Sequence, residues 1–127
     1  MPKLSTHVLD TAIGKPAAGV NIELFILESA GSRLIKSVVT NKDGRTDELL
    51  LDADTIQSGD YEIVFHVGDY FAGSNPNVSD TSGVKVDSTS KPFLNLVPVR
   101  FTIADASENF HVPLVVTPWS YSTYRGS

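Results

Sequence analysis

The side chains with the most chemistry to offer are three histidines, His7, His66 and His111, and two arginines beside turn or terminal residues, Arg45 and Arg125. A neutral imidazole can move protons near pH 7, and a guanidinium can hold an anion or a developing oxyanion. His7 lies in Leu4-Ser5-Thr6-His7-Val8 and His111 in Phe110-His111-Val112-Pro113-Leu114. Alternate side chains of an extended strand face opposite ways. If Phe110, Val112 and Leu114 fill a core, His111 faces outward. So does His7 if Leu4, Thr6 and Val8 point inward. With Arg45 and Arg125 nearby, these two imidazoles would make an electropositive patch on an acidic protein, although spacing alone does not show that they meet. A lone strand histidine is more often structural than catalytic, and that bland reading stands beside the sharp one for each of the three.

The last eight residues, Ser120-Tyr121-Ser122-Thr123-Tyr124-Arg125-Gly126-Ser127, are dense in aromatics, hydroxyls and charge. In an extended strand Ser120, Ser122 and Tyr124 share one face, and Trp119, Tyr121 and Thr123 the other. Arg125 stands next to the terminal carboxylate of Ser127, and Gly126 allows the backbone to bend between them. Two readings follow. The stretch is an edge strand ending in an exposed, charged stub, or it is tucked into a polar pocket that it helps to build.

The elements that must position these residues read as strands separated by turn signals. Period-two alternation runs through Leu4 to Asp10, Val20 to Glu28, Arg33 to Thr40, Tyr61 to Val67, Leu96 to Ala104, Phe110 to Thr117 and Trp119 to Arg125. Gly14 to Gly19 is a loop by its Gly and Pro content, and Asn41-Lys42-Asp43-Gly44 is a strong turn that projects Arg45 from its mouth. Thr46 to Ser58 is a short strand followed by a loop. Asp69 to Ala72 reads as one helical turn with Asp69 as its cap. Gly73 to Pro92, rich in Ser, Asn, Asp, Gly and Thr, is a long surface loop with room for a short hairpin at Val84 to Val86. Seven or so short strands with little helix indicate an all-β sandwich.

Length and composition bound the rest. The 127 residues fit one domain spanning 1–127, within the usual range of roughly 100–150. A hydrophobic content of 41% and a charged content of 20% are those of an ordinary globule. The net charge of −5 argues against nucleic acid or an acidic membrane surface as partner. There is no cysteine, which excludes thiol nucleophiles, disulfides and cysteine-based metal sites. No apolar run is long enough for a signal peptide or a membrane span, so a cytoplasmic location is expected, with a peroxisomal one as the alternative. Arg125-Gly126-Ser127 is not the Ser-Lys-Leu peroxisomal address. Asn77-Val78-Ser79 has the form of a glycosylation acceptor and is read as chance. There is no G-x-S-x-G elbow, no phosphate-cradling glycine loop and no H-E-x-x-H, and the histidine spacing singles out no zinc ligand set. No metal and no cofactor is expected.

Four segments taken together carry a family resemblance: Leu4-Ser5-Thr6-His7-Val8-Leu9-Asp10, Asp43-Gly44-Arg45, His111-Val112-Pro113-Leu114 and the closing Tyr121-Ser122-Thr123-Tyr124-Arg125-Gly126-Ser127. The chain resembles the 5-hydroxyisourate hydrolases, the transthyretin-related enzyme family, from Lys3 to Ser127. The loop between Ala72 and Pro92 is the main departure, and Tyr-Arg-Gly-Ser is the most specific signal because it separates these hydrolases from transthyretin proper. The resemblance implies a transthyretin-like β-sandwich of two four-stranded sheets with one short helix near Asp69 to Ala72. It also implies a homotetramer, a dimer of dimers with active sites at the dimer–dimer interface.

The activity implied is that of a cyclic amide hydrolase. It would convert 5-hydroxyisourate to 2-oxo-4-hydroxy-4-carboxy-5-ureidoimidazoline, in urate catabolism towards allantoin. The implied catalytic residues are His7, Arg45 and His111, which also bind substrate together with Tyr124, Arg125, Gly126 and Ser127. The two imidazoles would position and deprotonate water or a substrate hydroxyl, and Arg45 would hold the substrate's oxygens. The terminal carboxylate would orient His7 or Arg125. His66 matches no site position and is read as structural. The alternative is a transthyretin-like carrier of small ligands without enzymatic activity, since a fold does not fix a function. A sandwich that only mediates assembly is a third reading.

Overall fold

The computed structural model describes residues 1–73 and 92–126. The chain runs β1 (Lys3–Asp10), β2 (Lys15–Pro16), β3 (Asn21–Glu28), β4 (Gly31–Val39), β5 (Gly59–His66), α1 (Val67–Ala72), β6 (Leu96–Ile103), β7 (Asn109–Val116) and β8 (Tyr121–Thr123). These strands form two four-stranded sheets, ordered β2-β1-β7-β8 and β4-β3-β5-β6. Alternation in the sequence becomes alternation in burial. Leu4, Thr6 and Val8 of β1 point into the sandwich with Phe110, Val112 and Leu114 of β7, against Ile22, Leu24, Ile63, Phe65, Val97 and Val99 of the facing sheet. Removal of this apolar area from water is the main force holding the two layers together.

Polar groups inside this core have partners, as burial requires. The Thr6 hydroxyl donates to the Val112 carbonyl at 2.6 Å, stitching β1 to β7. Thr40 donates to the Ala17 carbonyl and accepts from the Val20 amide. The Asp10 carboxylate accepts from the Tyr70 phenol at 2.7 Å and from the Ala12 amide. Burial pushes the Tyr70 phenol well above its ordinary value, and the adjoining Asp10 carboxylate pushes it further. This pair ties the end of β1 to the helix.

Four stretches differ from expectation. The Gly14–Gly19 loop contains a two-residue strand, because Leu9 and Asp10 of β1 leave an edge that Lys15 and Pro16 pair with. The helix begins at Val67, with His66 at its N-cap position and Asp69 within the first turn, so Asp69 is not the cap. Gly68 sits inside the helix because a side chain there would collide with Asn95 and Pro92, to which the helix is closely packed. The last strand is shorter than Trp119–Arg125. Its register with β7 pairs Leu114 with Thr123, and continuing it would set Pro113 opposite Tyr124. Proline has no amide hydrogen for the ladder, so regular pairing stops there. The same register resumes at one bridge, His111 with Gly126. Thr46 to Ser58 forms turns, with a single bridge from Leu51 to Leu4. The acceptor triplet Asn77-Val78-Ser79, the Val84–Val86 hairpin and most of the long loop fall outside the described residues, as does Ser127.

Candidate active site

Strands β1 and β7 are parallel neighbours, with Ser5 opposite His111 and His7 opposite Pro113. Since Leu4, Thr6 and Val8 of β1 and Phe110, Val112 and Leu114 of β7 point inward, Lys3, Ser5, His7 and His111 all fall on the outer face of the β2-β1-β7-β8 sheet. His7 and His111 are therefore one diagonal step apart on one surface, both half-buried. The outward facing expected for both imidazoles is what the fold delivers.

Arg45 arrives from another direction. The segment after β4 runs along the free edge of β1, where the Val8 amide donates to the Gly44 carbonyl and the Leu4 amide to the Leu51 carbonyl. Within the Asn41–Gly44 turn, the Asn41 side chain accepts from the Asp43 and Arg45 amides, and Gly44 adopts φ +74°. A Cβ at Gly44 would run into the Val8 carbonyl, so only glycine lets the turn come this close to β1. The reward is positional. The Asp43 carbonyl reaches His7 Nε2 at 2.9 Å, and Arg45 follows immediately. A carbonyl only accepts, so this contact puts the proton of neutral His7 on Nε2.

His111 feels the whole group. Partial burial lowers its pKa from 6.5, and the charges of Arg45, His7 and Lys3 lower it further, while a hydrogen bond with the Ser5 main chain opposes them. The ring is also held on two edges. Ser5 Oγ lies 2.8 Å from Nδ1. On the other side Gly126 packs so tightly that a Cβ there would sit 2.7 Å from His111 Cδ2, and its amide donates to the His111 carbonyl at 2.7 Å. The arrangement can keep an imidazole neutral at neutral pH beside a permanently charged guanidinium, which suits a general base next to an anion holder.

Not every expected residue joins this group. Arg125 turns to the inner edge of the sandwich: its guanidinium lies 4.3 Å from the centre of the Phe110 ring, donates to the Asn109 carbonyl at 3.0 Å and approaches Glu108 at 3.8 Å. Tyr124 is exposed. The terminal stretch thus combines features of both readings, with exposed side chains on a backbone tethered to His111 through Gly126. His66 sits on the outer face of the other sheet, bonded to Glu23 at 2.6 Å, as befits a structural residue. Sequence reasoning overlooked Lys3 and Ser5 as neighbours of His111. Their i, i+2, i+4 spacing with His7 signals a shared face, but only the β1–β7 register sets them beside His111. Among the described residues no cluster of three or more histidine or carboxylate side chains could hold a metal ion, and no helix is long and apolar enough to cross a membrane.

Residues 4–126 match the HIUase/Transthyretin family. The chain is 49% identical over 126 residues to the 5-hydroxyisourate hydrolase of Deinococcus radiodurans, covering 99% of this chain and 97% of that one. The solved 5-hydroxyisourate hydrolase of Klebsiella pneumoniae superposes with a TM-score of 0.73 at 30% identity, with all of both chains covered. Sea bream transthyretin in complex with thyroxine gives a TM-score of 0.78 at 21% identity, covering 98% of this chain and 94% of that one, a likeness of fold alone.

Proposed function

This chain belongs to the HIUase/Transthyretin family, and from that premise we propose that it is an enzyme hydrolysing 5-hydroxyisourate. One observation carries the reading: two imidazoles and a guanidinium from three separate segments converge on one outer face, where their charges act on one another. A small-ligand carrier built on the same sandwich has no use for such a group.

In the proposed reaction one imidazole takes a proton from water as the oxygen attacks the lactam carbonyl of the six-membered ring. Arg45 faces the oxyanion that forms. The carbon–nitrogen bond then breaks, the departing nitrogen receives the proton, and the carbonyl carbon leaves as a carboxylate. The product is 2-oxo-4-hydroxy-4-carboxy-5-ureidoimidazoline, a step of urate catabolism towards allantoin. His7 and His111 share the proton-transfer work, while Tyr124, Arg125, Gly126 and Ser127 shape the pocket. Arg125 does so from behind, by clamping the end of β7 through Asn109 and Phe110. No cofactor enters the scheme.

The reading includes a homotetramer, a dimer of dimers. A second subunit closing over the half-exposed imidazole face would exclude water and strengthen every charge interaction there. Hydroxyisourate generated from urate with uricase decays spontaneously, and its ultraviolet absorbance reports the rate. Addition of this protein should speed the decay catalytically, and the active species should sediment as a tetramer. Decay at the spontaneous rate would leave only the carrier or scaffold readings.

A further inference from the structure

We propose that Ser5 is a positioning residue for the reaction: it holds His111 with its proton on Nδ1, so that Nε2 presents the free lone pair. The inference rests on the hydrolase reading above and names the group that sets the orientation of its base.

The imidazole ring has three outer edges in question. Nδ1 faces Ser5 Oγ at 2.8 Å. Cδ2 faces Gly126, close enough that even a methyl group would strike it. What remains is the end carrying Cε1 and Nε2, which neither neighbour covers. A serine hydroxyl alone could donate or accept. Nε2 is the ring nitrogen left uncovered, so a base acting there must carry its proton on Nδ1, and the Ser5 hydroxyl then accepts it. Parallel pairing sets Ser5 directly opposite His111, so the contact is built into the register of β1 and β7 and needs no loop to hold it. The two histidines consequently carry their protons on different atoms, Nε2 for His7 against the Asp43 carbonyl and Nδ1 for His111 against Ser5. Fixing which ring nitrogen is protonated is how a neighbouring acceptor makes the other nitrogen the base.

Two-bond proton–nitrogen NMR of the imidazoles reads the tautomer directly, well above the pH at which His111 protonates, with its signals identified by their loss in His111→Ala. The wild-type ring should be the Nδ1–H form. In Ser5→Ala the population should move towards Nε2–H, with kcat falling about fivefold to tenfold, the range open to one lost hydrogen bond, and KM changing less than twofold. Ser5→Thr keeps a hydroxyl and should restore both tautomer and kcat. An Nε2–H ring in the wild type, a tautomer unmoved in Ser5→Ala whatever its kcat, or no restoration in Ser5→Thr would overturn the proposal. Should Ser5→Ala fail to fold, the wild-type and Ser5→Thr tautomers still decide it. Failure of the hydrolase reading would show differently, as a wild-type protein that does not speed hydroxyisourate decay.

Discussion

The outer faces of the two sheets carry similar residue types and handle them in opposite ways. On the β4-β3-β5-β6 sheet, His66 is bonded to Glu23, Arg100 approaches Glu62 at 3.5 Å, and Thr102 donates to Asp60. Each of these polar groups faces a carboxylate. On the β2-β1-β7-β8 sheet, the charges that reach His111 come from Arg45, His7 and Lys3, all of one sign. Its bond to the Glu23 carboxylate settles His66 into a structural role. Partial burial of His111, with these cations around it, disfavours the charged ring and leaves it ready to accept a proton. Local charge, more than residue type, separates the chemical face from the inert one.

That contrast can be broken by mutation. The largest loss is expected for His7→Ala, about 10²–10⁴-fold in kcat, the usual worth of a general acid–base group. Arg45→Ala should follow at about 10²–10³-fold, as for loss of an oxyanion partner. Steady-state rates of uricase-generated hydroxyisourate decay measure both, and near-wild-type turnover in either would remove that residue from the mechanism. Gly126→Ala comes next. Its Cβ would displace the His111 ring, and a misplacement of that kind costs up to about 10²-fold, with thermal unfolding little changed because the site lies outside the core.

A gentler change sharpens the comparison. The lowered pKa of His111 means that its neutral form persists below pH 6.5, so the acid limb of kcat/KM should lie below that value. Lys3→Gln removes one of the cations that disfavour the imidazolium, so the limb should move up in pH. A limb moving down, or not at all, would show that Lys3 has no part in holding the ring neutral.

Much of this was legible in the residues themselves. Strand alternation alone put Phe110, Val112 and Leu114 inside and His111 outside, because burial of apolar side chains leaves β7 only one choice of face. The Asn41–Gly44 turn was equally clear, since glycine at a left-handed position is the cheapest way to make it. What stayed hidden depends on register between distant segments. That Ser5 faces His111 follows from parallel pairing across more than a hundred residues, which no local pattern encodes. Arg125 was expected beside the histidines. Its backbone position is set by Gly126 on His111, but the side chain follows the Phe110 ring and the Asn109 carbonyl to the other side of the sheet. The helix start at Val67 was masked because Gly68, a poor helix former, is needed there for the close approach of Pro92 and Asn95.

The most direct test sets His111→Ala beside His66→Ala in the same hydroxyisourate decay assay, with folding of both checked by circular dichroism. The account predicts a loss of about 10²-fold or more for the first and turnover within a few-fold of wild type for the second. Equal losses in the two variants, or none in His111→Ala, would contradict it.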